Sequence, residues 1–190
     1  MTRKVRREEL LDWQTYSEKR HEIREQILPV KEPRRIHVGP YLTFLFENTD
    51  TIRYQIQEMM RAEQIVKEEA IQHELETYNG LLGDEGELGC ALLIEIDEPS
   101  QRKPLLSKWL PLPKHLYVKL EDGSKVYATY DEGQVGADRL SAVQYLKFDT
   151  KGAIPVAVGV DFEPLAAEAQ LTAAQRSALA EDLESPAARA

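Results

Sequence analysis

The sequence has very little cysteine and no long apolar run. Cys90 is its only cysteine, so no disulfide can form within the chain and nothing indicates an oxidising compartment. No stretch of about 18 apolar residues is present, which argues against a membrane-spanning helix. The basic residues 1–7 lead into charged sequence rather than an apolar segment, unlike a secretory signal. We therefore expect a cytoplasmic protein without a membrane partner.

Positive charge is scarce outside the N-terminal segment. The formal net charge is −9; residues 1–35 carry ten Lys and Arg against seven Asp and Glu, and the remainder carries fourteen against twenty-six. An acidic body repels the phosphate backbone of nucleic acids, so we expect no nucleic-acid partner. The basic N-terminal segment is better suited to contact an acidic protein surface.

The first half of the chain is patterned for helices. A stripe at three- to four-residue spacing predicts a helix over about residues 8–28, ended by Pro29 and Pro33, with these members: Trp13, Tyr16, Arg20, Ile23 and Ile27. Residues 36–47 are apolar and interrupted by Gly39-Pro40, which favours a short extended piece, a turn, and then helix or strand. A second helix is expected from about Thr51. Its apolar face rotates along the chain, so we expect either a bend or break near 64–68 or two faces that pack against different neighbours.

From Leu88 onward the apolar residues alternate, which is typical of strands. A hairpin over 115–130 is expected to turn through a three-residue loop, with Gly123 left-handed and Val118 opposite Val126. Strands are also expected at 142–149 and 156–162. A capping box at Thr172 predicts a last helix to about residue 183.

These patterns predict an α+β fold in one structural unit, 1–190. A helical N-terminal part (1–84) would pack on an antiparallel sheet of about five strands (85–165). A short C-terminal helix and tail (166–190) would follow.

Two groups of residues have spacings found in metal sites. Glu18 and His21 form one Glu-x-x-His pair, whereas di-iron bundles need two such pairs and further acids. Glu69, His73 and Glu76 share one helical face. Both groups lie opposite apolar stripes, so we interpret them as solvated faces. Cys90 lies on an apolar strand face and is expected to be a buried small hydrophobe.

Glu63 stands out because it falls within the apolar stripe of the second helix. A buried acid is costly unless it is paired. We expect a structural ion pair with Arg34, Arg35 or Arg53; the alternative is a buried carboxylate in a pocket.

A basic cluster precedes that helix. Arg34, Arg35 and His37 either form an anion-binding corner beside the helix start or are a basic linker on an acidic surface. The candidate ligand-binding residues are therefore Arg34, Arg35, His37, Glu47 and Glu63. No complete catalytic arrangement is present, so no catalytic residue is assigned and no cofactor or metal site is predicted.

Three segments carry a family resemblance: Arg34–Pro40, Thr43–Asn48 and Gln55–Glu63. They resemble an uncharacterised bacterial family named domain of unknown function 3501, over nearly the whole chain. The family has no assigned chemistry, so the resemblance implies no catalytic residues. Its members are often encoded beside rubrerythrin-like and iron–sulfur oxidoreductases, which implies a place in redox or peroxide defence.

Two classes of function follow. The first is an accessory protein that binds an oxidoreductase partner or a small ligand through residues 34–63. The second is a metal-dependent enzyme or metalloprotein, with ligands drawn from the helical half: His37, Glu47, Glu58, Glu63 and His73. A metal site requires at least three of these residues to converge, and the discriminating observation is whether His37, Glu47 and Glu63 meet at one point.

Overall fold

A computed structural model describes residues 4–184. A 3₁₀ turn at Arg7–Glu9 precedes the first helix, α1, which spans Trp13–Lys31. The side chain of Asp12 caps α1 by accepting hydrogen bonds from two backbone N–H groups of the first turn. The prediction that Pro29 ends this helix is wrong, because Pro29 lies inside its last turn. A proline there forfeits one backbone hydrogen bond, and the chain leaves the helix soon afterwards, through a 3₁₀ turn at Glu32–Arg34.

The apolar segment after this turn is a β-hairpin. The predicted short extended piece and turn are confirmed, and the second part, for which helix and strand were left open, is a strand. Strand β1 spans Arg35–Val38 and strand β2 spans Leu42–Glu47. Gly39, with φ of +63°, supplies the left-handed residue that the tight connection needs.

Two helices follow the hairpin. Helix α2 spans Thr49–Ala62 and helix α3 spans Glu68–Asn79. The predicted break between them is confirmed, and Gln64 has a left-handed φ of 52° within it. Val66 lies in this break and is 68% exposed, so it is not part of the buried helix face.

The second half alternates strands with two short helices. In chain order the elements are β3 (Glu87–Ile94), α4 (Pro99–Lys108), β4 (Leu116–Lys119), β5 (Lys125–Tyr127), β6 (Thr129–Tyr130), β7 (Val143–Asp149), β8 (Ala157–Val160), β9 (Ala167–Gln170) and α5 (Ala173–Leu183). Val118 pairs with Val126 and Gly123 has φ of +85°, which confirms the predicted hairpin register. The capping box at Thr172 is also confirmed.

The strands form two antiparallel sheets, with orders β1-β2-β3-β7-β6 and β5-β4-β8-β9. The α+β class is therefore confirmed. The structure adds a second sheet to the predicted one. It also places β1 and β2, from the helical half of the sequence, beside β3 in the larger sheet.

Two apolar clusters hold the described residues together. The larger lies between the two sheets and includes Cys90, which is 1% exposed, as predicted. The smaller joins α2 and α3 to residues that precede α1. Within residues 4–184, neither cluster contains a residue of α1. No helix in this range is both long enough and apolar enough to cross a membrane.

Candidate functional site

A groove lies between α1 and α2, and its volume is about 470 Å³. Helix α1 contributes mostly apolar residues to it, and α2 contributes polar ones. The segment before α1 adds Glu9 and Leu11. The lining from the two helices is Tyr16, Ile23, Gln26, Ile27 and Val30 of α1, and Asp50, Arg53, Tyr54 and Gln57 of α2.

Near the groove, α1 is fastened to α2 by a charged hydrogen-bond network. The hydroxyl of Tyr16 donates to Glu58 at 2.7 Å, and Arg20 donates to both carboxylate oxygens of Glu58 at 2.8 Å each. The hydrogen bonds from Arg20 lower the pKa of Glu58, so this carboxylate stays ionised. Burial and the neighbouring carboxylate raise the pKa of Tyr16. Arg20, although it belongs to the α1 stripe, therefore directs its charged group to α2.

Two further polar contacts fasten the groove walls. The Gln57 carboxamide accepts from the N–H of Leu11 at 2.7 Å and donates to its carbonyl at 3.0 Å. The ammonium of Lys31 lies 5.3 Å from the centre of the Tyr54 ring, within the range of a cation–π contact. These contacts hold the segment before α1 and the end of α1 against α2.

The charges in the groove are paired with one another. Arg53 donates a hydrogen bond to Asp50, three residues earlier on α2, and its Nη1 lies 3.7 Å from a Glu9 carboxylate oxygen. Two carboxylates against one guanidinium give the lining a formal net charge of −1. Sequence reasoning missed Arg53 and Gln57, although both are polar residues one position after the buried Ile52 and Ile56.

The predicted site residue Arg34 is 5% exposed and forms a structural ion pair. Its Nε and Nη2 donate to the Asp182 carboxylate at 2.8 and 2.9 Å. It also donates to the carbonyls of Val30, at 2.7 Å, and Ala178, at 3.2 Å. Burial raises the pKa of Asp182, and Arg34 opposes that shift. Arg34 therefore links the end of α1 to α5.

Glu47 belongs to the same polar cluster. It accepts a hydrogen bond from the hydroxyl of Thr51, and Asn48 donates to Asp182 at 3.3 Å. Loss of water around the Glu47 carboxyl raises its pKa, while Thr51 and the nearby cations oppose the shift. The structure thus brings Arg34 and Glu47 together beneath the start of α2.

The other three predicted residues are exposed. Arg35 and His37 lie on the exposed face of β1, where His37 Nδ1 is 2.8 Å from the Thr43 hydroxyl. Glu63 is the residue just after the last turn of α2, so the prediction that it is buried and ion-paired is wrong. The helix ends one residue before it, and its periodicity no longer applies.

The convergence that a metal site requires is not found. His37, Glu47 and Glu63 have separate surroundings, and no group of three His, Cys, Asp or Glu residues between 4 and 184 is arranged to hold a metal ion. The spaced acids and histidines lie on exposed surfaces, as interpreted from the sequence: Glu18, His21, Glu69, His73 and Glu76.

The fold and groove define an α+β protein with an interhelical cleft, and comparison assigns it to a family. Residues 4–183 match the model of DUF3501, described as a protein of unknown function, and the chain belongs to this family. It is similar to the crystal structure of a novel protein of unknown function from Burkholderia pseudomallei K96243. The two are 30% identical with a TM-score of 0.87, over 96% of this chain and 100% of that one. No curated protein matches the chain.

Proposed function

We propose that this protein is a binding protein whose site is the groove between α1 and α2. The observation that carries the proposal is a groove of about 470 Å³ with one largely apolar wall and one polar wall. Sites for small molecules commonly have volumes of this order and combine apolar surface with a few placed polar groups.

The contacts around the groove support binding over catalysis. Glu58 is neutralised by Arg20, and Arg53 is balanced by Asp50 and Glu9. Charged groups held in such pairs orient and select a ligand, whereas acid–base catalysis needs a group whose pKa is tuned near the working pH. A binding role therefore fits the groove better than acid–base catalysis.

The family resemblance supplies a candidate for the protein partner. This partner is a rubrerythrin-like or iron–sulfur oxidoreductase. The groove either presents a bound ligand to the oxidoreductase or receives one of its side chains. Mixing the purified proteins and measuring the association constant tests this partner. Binding that is weakened by filling the groove supports the partner, and no association at micromolar concentrations contradicts it.

Filling the groove tests the site itself. Ile23 lines the groove, whereas Leu28, on the same helix, is 46% exposed and is not a lining residue. We expect Ile23→Trp to abolish binding of small aromatic fragments, detected by saturation-transfer NMR, and Leu28→Trp to preserve it. A fragment set that binds equally to both variants would place the site elsewhere and contradict the proposal.

A further inference from the structure

The neighbouring Asp50 and Arg53 side chains present both a hydrogen-bond acceptor and a donor to the groove. They lie three residues apart on α2, so they project on the same side of the helix. Their mutual hydrogen bond occupies one N–H of a guanidinium that has five. In the described part of the chain, its other charged contact is the 3.7 Å approach to Glu9. The pair therefore retains capacity to donate and to accept.

The charge of the lining restricts the ligand. The charges beside the groove already have partners, because Arg53 contacts Asp50 and Glu9, and Glu9 also lies 3.8 Å from Arg6. An anion would face the two carboxylates, and an ammonium group would face the guanidinium of Arg53. Burying a charged group without its own partner is costly, so a neutral ligand fits the lining best.

We propose that the groove takes a neutral amide or lactam attached to an apolar ring. The amide carbonyl accepts from Arg53 and the amide N–H donates to Asp50. The ring packs on the apolar wall formed by Ile23, Ile27 and Val30. This inference rests on the proposed function of the groove and names its ligand class.

Three probes that share a naphthalene ring system and differ in charge test the ligand class. They are 2-naphthamide, which is neutral, 2-naphthoate, an anion, and 2-naphthylmethylammonium, a cation. We expect the amide to bind the full chain about tenfold more tightly than either charged probe, a difference of about 1.4 kcal/mol. A charged probe that binds as tightly as the amide, or an amide that does not bind, overturns the inference.

Substitution of Arg53 should change which probe binds most tightly, an effect that a general loss of stability would not produce. Arg53→Met removes the donor and takes from Asp50 the cation that it contacts, so the amide should bind about tenfold more weakly and the ammonium probe should gain affinity. Arg61→Met is the matched control, because Arg61 is exposed on the same helix and does not line the groove. Unchanged probe preference in Arg53→Met overturns the inference.

Ile23→Trp separates failure of the ligand class from failure of the site. If all three probes bind alike and Ile23→Trp abolishes binding, the groove is a site and the ligand class is wrong. If the amide binds Ile23→Trp as it binds the unsubstituted chain, both the ligand class and the proposed site are wrong.

Discussion

Arg34 has more of its hydrogen-bonding capacity satisfied than any of the other candidate residues predicted from the sequence. It is buried, forms a two-pronged contact with Asp182, and donates to the carbonyls of Val30 and Ala178. These contacts connect the end of α1 to α5, elements more than 140 positions apart in the chain. A buried arginine with this geometry is a structural connection between distant segments.

Removal of Arg34 should therefore destabilise the fold. We expect Arg34→Met to lower the free energy of unfolding by about 3–5 kcal/mol, because it leaves the Asp182 carboxylate buried without its cation. Urea unfolding measures the difference. Arg35→Met is the matched control, since Arg35 is exposed on β1, and its effect should stay within about 0.5 kcal/mol.

A double substitution distinguishes a broken ion pair from lost packing. Arg34→Met with Asp182→Leu removes both charges, so the double variant should be more stable than Arg34→Met alone. If Arg34→Met unfolds at the same urea concentration as Arg35→Met, the structural role given to Arg34 is wrong.

Individual site residues were the least predictable part of the molecule. Arg34 and Glu47 share a cluster because α5 supplies Asp182, and no local pattern relates residue 182 to residue 34. Glu63 was misplaced because a helical stripe was extended one residue beyond the end of α2. Hydrophobic periodicity assigns a residue to a helix face only within the helix, and helix ends are the boundaries that it predicts least accurately.

At the scale of elements, α1 differs from the other helices in how it is attached. Of its 19 residues, Tyr16 and Ile27 are buried. Neither of them belongs to the two apolar clusters of residues 4–184. Polar contacts with Glu58 and Tyr54 fasten it instead. An element with few apolar contacts opens at low cost in free energy, so α1 is the wall of the groove best able to move.

Hydrogen exchange should detect this difference between the helices. We expect amides in the middle of α1 to exchange at least about tenfold faster than those of α2 around Ile56, which is fully buried. Glu58→Gln weakens the contact with Arg20 and should accelerate exchange in α1 further, with β3 as the unaffected internal control. Equal protection of α1 and α2 would contradict the proposed difference in attachment.

Elements were predicted well where local chemistry determines them. Gly123 fixed the hairpin register through its left-handed turn, and Thr172 with Gln175 fixed the start of α5. Helix α4 was missed because the proline-rich segment Pro99–Pro113 was interpreted as a connection between strands. Pro99 occupies the first turn of α4, where a proline costs no hydrogen bond. Strand β9 is short and was also missed.

At the scale of the whole molecule, the groove results from how α1 crosses α2. The sequence predicted both apolar stripes and the α+β class, but not the gap between the helices. The gap depends on the long-range contacts of Gln57 with Leu11 and of Arg20 with Glu58. Family membership adds no chemistry, because the family and the similar solved structure have no known function.

The most direct test of the groove as a binding site is an amide ¹H–¹⁵N spectrum of the full chain titrated with neutral, anionic and cationic aromatic fragments. We expect the fragments that bind to shift resonances of the groove lining, with Ile23, Ile27, Arg53 and Tyr54 among the largest changes. Shifts concentrated on another surface, such as the outer face of the four-stranded sheet, or spread over the molecule without a focus would contradict the claim that this groove is the binding site.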